Sequence, residues 1–160
     1  MNNKEYQGWR AVDGSAYIIV YTRGPNGVNE RLLEQPIYHS PDGFEWGYGG
    51  SGPSDAALAI LLDAFDEMVS LPKECFDRYG YMSGLRAIEA TSAYRIHHQF
   101  KDKQIARLGR RERVGTDHDR ALMEWAMGED FVLSEAAMIE HDMGIEEQVD
   151  WAVSGDGTDQ

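Results

Sequence analysis

Cysteine is almost missing from this chain: Cys75 is the single one in 160 residues. An internal disulfide is thereby excluded, and so is a metal cluster of the cysteine type. Long apolar runs are missing too. Nothing approaches the roughly 20 residues of a membrane-spanning helix, so no membrane partner is expected. The start, Met1-Asn2-Asn3-Lys4-Glu5, has no signal-peptide pattern. A cytoplasmic setting follows as the expectation. Positive charge is scarce, with 15 Lys and Arg against 28 Asp and Glu and a net charge of −13. A general binder of duplex nucleic acid is disfavoured, because that field repels phosphate.

The charge is uneven. From Glu140 to Gln160 there are seven acids and no Lys or Arg. Lys101, Lys103, Arg107, Arg110, Arg111 and Arg113 lie close together in turn. Such a patch suits a small anion where a long polyanion would be repelled. The same pattern also describes the solvated face of a helix.

What the chain has in quantity is glycine and aromatic side chains in one place. Tyr38 to Pro53 holds five glycines, four aromatics and a Pro-Asp-Gly turn, and it opens into an apolar helix predicted from Ser54 to Ser70. Glycine lets a backbone approach a ligand closely. A helix start offers unpaired N–H groups and a positive dipole end, which suit phosphate. Aromatic faces stack bases.

Periodicity predicts the rest. Glu5 to Val12 and Ser15 to Thr22 read as strands joined at Asp13-Gly14, and Gly24-Pro25-Asn26-Gly27 turns the chain into a third, Val28 to Leu33. In the first helix, Pro53 suits a first helical position with Gly52 or Ser51 as cap, and Asp55 in the first turn favours the dipole. Ala57, Leu58, Leu61, Leu62, Phe65 and Met68 form its apolar face. Lys73 to Gly84 reads as a loop or short helical insertion. A second long helix runs from about Gly84 to Leu108, weakened at Thr91-Ser92, and short helices follow over Arg120 to Met127 and from Ser134 to Met143. The expected fold class is α+β: an N-terminal antiparallel meander packed on two main helices, with short C-terminal helices. One domain over residues 1–153 precedes an acidic tail, 154–160, expected to be disordered.

The glycine-rich run lacks the Gly-Lys-Ser/Thr of a phosphate loop and the strand and spacing of a dinucleotide fingerprint. Phe44, Trp46 and Tyr48 alternate, so they share one strand face and fit a core as well as a base-stacking wall. His97 and His98 point about 100° apart on a helix and do not easily chelate one metal. His39, His118 and His141 have no partner at ligand spacing, so neither a metal nor a cofactor is expected. Ser51 reads as a helix cap rather than a nucleophile. No catalytic set emerges, and a ligand binder without turnover fits better than an enzyme.

Three segments carry a resemblance. His39 to Leu62, with Phe-Glu-Trp-Gly-Tyr-Gly-Gly-Ser-Gly-Pro at its centre, resembles the signature of a family of small phage and prophage proteins. Tyr94 to Leu108, with its Phe-Lys and Ile-Ala-Arg-Leu pattern, resembles that family's second helix, and Phe131-Val-Leu-Ser134 its closing segment. The pattern is similar to the anti-Thoeris signal sponges, the first type of Thoeris anti-defence protein.

The resemblance implies capture, without cleavage, of a cyclic ADP-ribose isomer such as glycocyclic ADP-ribose in the host bacterial cytoplasm, and in some members capture of cyclic oligonucleotides. It also implies homo-oligomers, dimers that associate into hexamers, with ligand at subunit boundaries. Ser70 to Ala90 departs from the pattern as an insertion. On this reading Phe44, Trp46 or Tyr48 stacks a base. The backbone of Gly49, Gly50, Ser51 and Gly52 holds phosphate, and Lys101, Arg107 or Arg110, with His98 beside them, supplies charge. The alternatives are an acidic protein that blocks a host factor as a nucleic-acid mimic, and a small nucleotide-processing enzyme.

Overall fold

Alternation along the first strand sets the architecture. In β1 (Lys4–Arg10) the side chains of Lys4, Tyr6 and Arg10 turn inward with Gly8, and the residues between are half-buried. This two-residue period marks a sheet with one covered face. The computed structural model describes residues 4–11, 13–108 and 131–134. The first three strands form the predicted antiparallel meander. Strand β1 pairs with β2 (Ala16–Gly24), and β2 with β3 (Gly27–Leu32), through a turn in which Gly24 faces Gly27. Gly27 sits at φ 117°, in the region that favours glycine.

A fourth strand, β4 (Phe131–Ser134), pairs antiparallel with the other side of β1, giving the order β3-β2-β1-β4. Ser134 therefore ends a strand. Gly8 lies opposite Phe131, and a Cβ there would meet the ring at 2.0 Å. The missing side chain is the space the ring occupies.

Helix α1 (Ser51–Ala64) is buried along nearly its whole length, from Gly52 to Asp63. A helix buried on all sides is a central one. It shares a core with Tyr6, Ile18 and Val20 of the sheet and with Ala93, Ile96 and Phe100 of α3 (Ser92–Lys103). Each fully buried Leu or Ile contributes about 1.5–3 kcal/mol.

The helix ends at Ala64 and not at Ser70. Asp66 takes a left-handed φ of 57°. The Asp66 N–H then bonds the Asp63 carbonyl at 3.1 Å, and the Glu67 N–H bonds that of Leu62 at 2.8 Å. This is a Schellman closure with aspartate in the position glycine usually takes. A 3₁₀ turn, Met68–Ser70, follows.

The expected second helix is two helices, α2 (Tyr81–Glu89) and α3, with the break at the Thr91-Ser92 step. Thr91 caps α3 by accepting from the Tyr94 N–H at 3.1 Å. The Glu67 carboxylate accepts from the Ser92 and Ala93 N–H groups at 2.9 Å each. Side-chain oxygens thus end one helix and start another where β-branching alone would only weaken it.

The segment Ser70 to Ala90 is ordered around Cys75, which lies buried beneath Gly84. Its carbonyl accepts from the Ile37 N–H at 2.7 Å. The fold is α+β as expected. The predicted helices over Arg120 to Met127 and Ser134 to Met143, and the tail, lie outside the described residues. No helix among the described residues is long and apolar enough to cross a membrane.

Candidate functional site

The glycine-rich segment is irregular backbone and not a strand, which decides where its rings go. Gly43 and Gly47 hold φ angles of 110° and 88°. The turn at Gly47 breaks the alternation: Phe44 and Trp46 are buried, while Tyr48 is 44% exposed. Trp46 meets Phe131 edge-on at 4.9 Å between ring centres, and the Arg10 guanidinium lies 5.0 Å over its ring. Arg10 also donates two parallel bonds of 2.9 Å to the Glu45 carboxylate. A base has no access to Trp46 in this packing, because its faces are already covered.

Helix α1 begins one residue earlier than the expected cap allows. Gly50 is the cap, extended at φ 178°, and Ser51 is the first helical residue. The Ser54 N–H and hydroxyl both donate to the Gly50 carbonyl, at 3.0 and 2.8 Å. Pro53 is third in the helix, where its missing N–H is still one the first turn leaves unpaired. Gly52 lies against Glu45, and a Cβ on it would come within 2.7 Å of the Glu45 Cβ.

In front of this helix start is a cleft of about 380 Å³. Its walls are the β1–β2 turn (residues 14–16), the loop from Ser40 to Glu45, and Tyr48, Ser51 and Gly52. The expected residues Tyr48, Ser51 and Gly52 are therefore brought together, with a covered Phe44 at the base. Gly50 sits under the Tyr48 ring and Gly49 is exposed. The cleft's two acids are engaged: Glu45 by Arg10, and Asp42 by Arg78 at 3.7 Å. Arg107 is exposed on a 3₁₀ turn, Ile105–Arg107, which is tied to the corner by the Gly47 N–H bond to the Ile105 carbonyl at 3.0 Å. Arg110 lies outside the described residues.

His98 and Lys101 belong to a different group of side chains. Its organiser is Asp55, fully buried in α1. The Asp55 carboxylate accepts from the N–H groups of Tyr38 (3.3 Å), His39 (2.8 Å) and Ser40 (2.9 Å) and from Gln35 Nε2 (3.1 Å). Burial pushes its pKa up, and those four donors pull it back. Held this way, the loop presents His39 to α3. His39 Nε2 lies 2.9 Å from His97 Nε2, and the His98 ring centre is 4.1 Å from that of His97 and 5.3 Å from that of His39.

The His97 Nδ1–H donates to the Tyr94 carbonyl at 2.5 Å. This fixes the tautomer and leaves Nε2 with a lone pair. Burial lowers the pKa of all three histidines, His97 to about 3. Lys101 adds to the depression in each. Tyr38 and Tyr94 pack on the imidazoles, their hydroxyls 2.9 Å apart, and the Tyr38 hydroxyl donates to Glu89 of α2. Burial and the Glu89 carboxylate raise the Tyr38 pKa far above the usual phenol range.

Sequence reasoning missed His39, His97 and Asp55. His39 opens the glycine-rich segment, and the His97-His98 pair is conspicuous, but no spacing links residue 39 to residue 97. The third imidazole of the group comes from a loop and not from the helix, so the cluster forms despite the 100° divergence of the pair. The departing segment, Ser70 to Ala90, backs this loop through Cys75 and Glu89.

Residues 6–76, from β1 through α1 to the turn at Cys75, are similar to DUF6166, a family of unknown function. The match includes the cleft, Asp55 and His39, and stops short of His97 and His98. No curated protein and no solved structure matches the chain.

Proposed function

We propose that the protein captures a small phosphorylated nucleotide and holds it without turnover, in the manner of a sponge for immune signals. The observation that carries this reading is the cleft at the start of α1, with half-exposed Tyr48 on its rim. Its volume of about 380 Å³ lies within the range of about 300–1,000 Å³ usual for small-molecule sites. The Tyr48 face is the aromatic surface for a base, and the α1 start supplies N–H groups and a positive dipole end for phosphate. The local charge is balanced, since Arg10 and Arg78 face Glu45 and Asp42.

The cargo class is a cyclic ADP-ribose isomer, following the resemblance to the anti-Thoeris sponges, with cyclic oligonucleotides second. Nanomolar capture needs about 12 kcal/mol, of which stacking on one ring supplies about 1–3 kcal/mol. Further cations are needed, and assembly of copies into dimers and hexamers would bring them from a neighbouring chain. Calorimetry with glycocyclic ADP-ribose tests the reading, followed by heat release and mass spectrometry of the ligand. Expected is saturable binding, weakened by Tyr48→Ala, with the ligand recovered intact. Absence of heat with the cyclic ADP-ribose isomers and with cyclic oligonucleotides overturns it, and a chemically altered ligand indicates an enzyme instead.

A further inference from the structure

We propose that His39, His97 and His98 form a binding site for one divalent transition-metal ion of the zinc kind, with a coordination position open to solvent. The ligand nitrogens of the three rings all lie within 4.8 Å of one another. Around a tetrahedral zinc with Zn–N of about 2.0–2.1 Å, the nitrogens stand on the order of 3.3 Å apart. The His39–His97 separation of 2.9 Å is short of that, while the bound of 4.8 Å on the separations lies well beyond it. Adjustments of about 1.5 Å or less produce the geometry. His98 is exposed and free to make most of that movement, while His97 is fully buried and fixed.

The surroundings are those of a ligand set and not of three rings merely packed together. His97 gives its Nδ1–H to the Tyr94 carbonyl, the outer contact that orients metal-binding imidazoles. His39 is positioned through its own backbone N–H by Asp55 at 2.8 Å. With the His97 proton on Nδ1, His39 Nε2–H donates to His97 Nε2 at 2.9 Å in the metal-free protein, and a bound ion would take the place of that shared proton. Three imidazoles with no thiolate suit zinc, cobalt, nickel or copper over calcium or magnesium. The Lys101 charge acts on all three rings and opposes a cation. Asp102, 3.7 Å from Lys101, and Asp55 behind His39 offset part of that charge. With His98 at the surface, the fourth position opens to water or to an anionic group of a bound molecule.

The test uses the full chain without an affinity tag, stripped with a chelator and dialysed. Zinc chloride is titrated by calorimetry, and cobalt chloride is followed by visible absorption. Expected are one ion per chain in the micromolar range or tighter, and a cobalt spectrum of tetrahedral intensity. His98→Gln, at an exposed position, should weaken zinc binding more than about tenfold while leaving the metal-free unfolding midpoint unchanged. His39→Gln should do the same to binding, and His118→Gln and His141→Gln should leave it as it was. The proposal is overturned by the absence of zinc binding at micromolar protein, or by binding that His98→Gln and His39→Gln leave unchanged.

Discussion

Helix α1 carries two buried aspartates, and they are satisfied by opposite kinds of partner. Asp63, near its C-terminal end, is met by side chains of the sheet. Arg31 of β3 donates to it at 2.7 Å and the Tyr6 hydroxyl of β1 at 2.9 Å, while the Lys4 ammonium lies 3.5 Å away and also bonds the Asp63 carbonyl. Asp55, near the other end, is met by three backbone N–H groups and one amide of a loop. The first carboxylate fastens two strands, already formed, onto the helix. The second gives shape to a segment that has no regular structure of its own, and on that segment sits His39. One residue type in one helix thus serves cohesion at one end and site geometry at the other, according to whether charges or N–H groups converge on it.

The comparison breaks most visibly at Asp63. Asp63→Ala takes from Lys4 its buried counter-charge, leaving it the exposed Asp66 at 3.3 Å, and removes the acceptor of Arg31 and of the Tyr6 hydroxyl; a loss of about 3 kcal/mol is expected in urea unfolding at neutral pH. A loss below about 1 kcal/mol would place this pair with weak surface bridges. Asp55→Asn sharpens the contrast. Asparagine offers one acceptor and turns an NH₂ toward N–H donors, so a cost of about 1–3 kcal/mol is expected. The diagnostic result is a split: Asp55→Asn weakens zinc binding, and Asp63→Ala, measured where it is still folded, does not. Equal effects on zinc would erase the distinction between the two aspartates.

Gly52→Ala tests the helix start beside the cleft. The new methyl would meet Glu45, and overpacking of this kind costs about 1–3 kcal/mol. Acidification of the chelator-treated protein probes the histidines that Asp55 helps to assemble. The folded pKa of His97, about 3, lies below its ordinary value of 6.5, so the unfolded chain takes the proton first. Stability is then full above pH 6.5 and is lost as pH falls toward 3. His39, His98 and Lys101 face the same ring, and His39 and His98 are shifted in the same direction. A drop of about 1–2 kcal/mol between pH 7 and pH 5 is expected by denaturant titration, a range in which ordinary carboxylates hardly titrate. The smallest effect on stability belongs to Tyr48→Ala, within about 0.5 kcal/mol, and it should be accompanied by a loss of nucleotide affinity worth about 1–3 kcal/mol.

The meander was legible because its signals are local. Alternation and two turn sequences sufficed for β1 to β3, and the apolar run after Pro53 sufficed for the core of α1. Its C-terminal boundary was not legible, because the left-handed residue that closes the helix is an aspartate and not a glycine. Strand β4 was not legible either: four residues, Phe131–Ser134, become a strand only because β1 offers them an unpaired edge. In the candidate site, Tyr48, Ser51 and Gly52 were visible as a group, since they are neighbours in the chain. Phe44 and Trp46 fitted core and stacking wall equally, and the left-handed turn at Gly47 separated them from Tyr48.

The amino-acid order by itself determined the α+β class, the acidic field, and a glycine-rich corner opening into an apolar helix, because each follows from the properties of residues a few positions apart. Only the tertiary structure decided that two aspartates of that helix take different partners and that His39 meets His97 and His98. Those contacts join positions from 15 to 59 residues apart in the chain, His39 and His97 being 58 apart, and their geometry is set by the packing of α1 against α3 and by the loop that Asp55 holds. No periodicity records that distance, because it is the closing of the chain on itself that creates it.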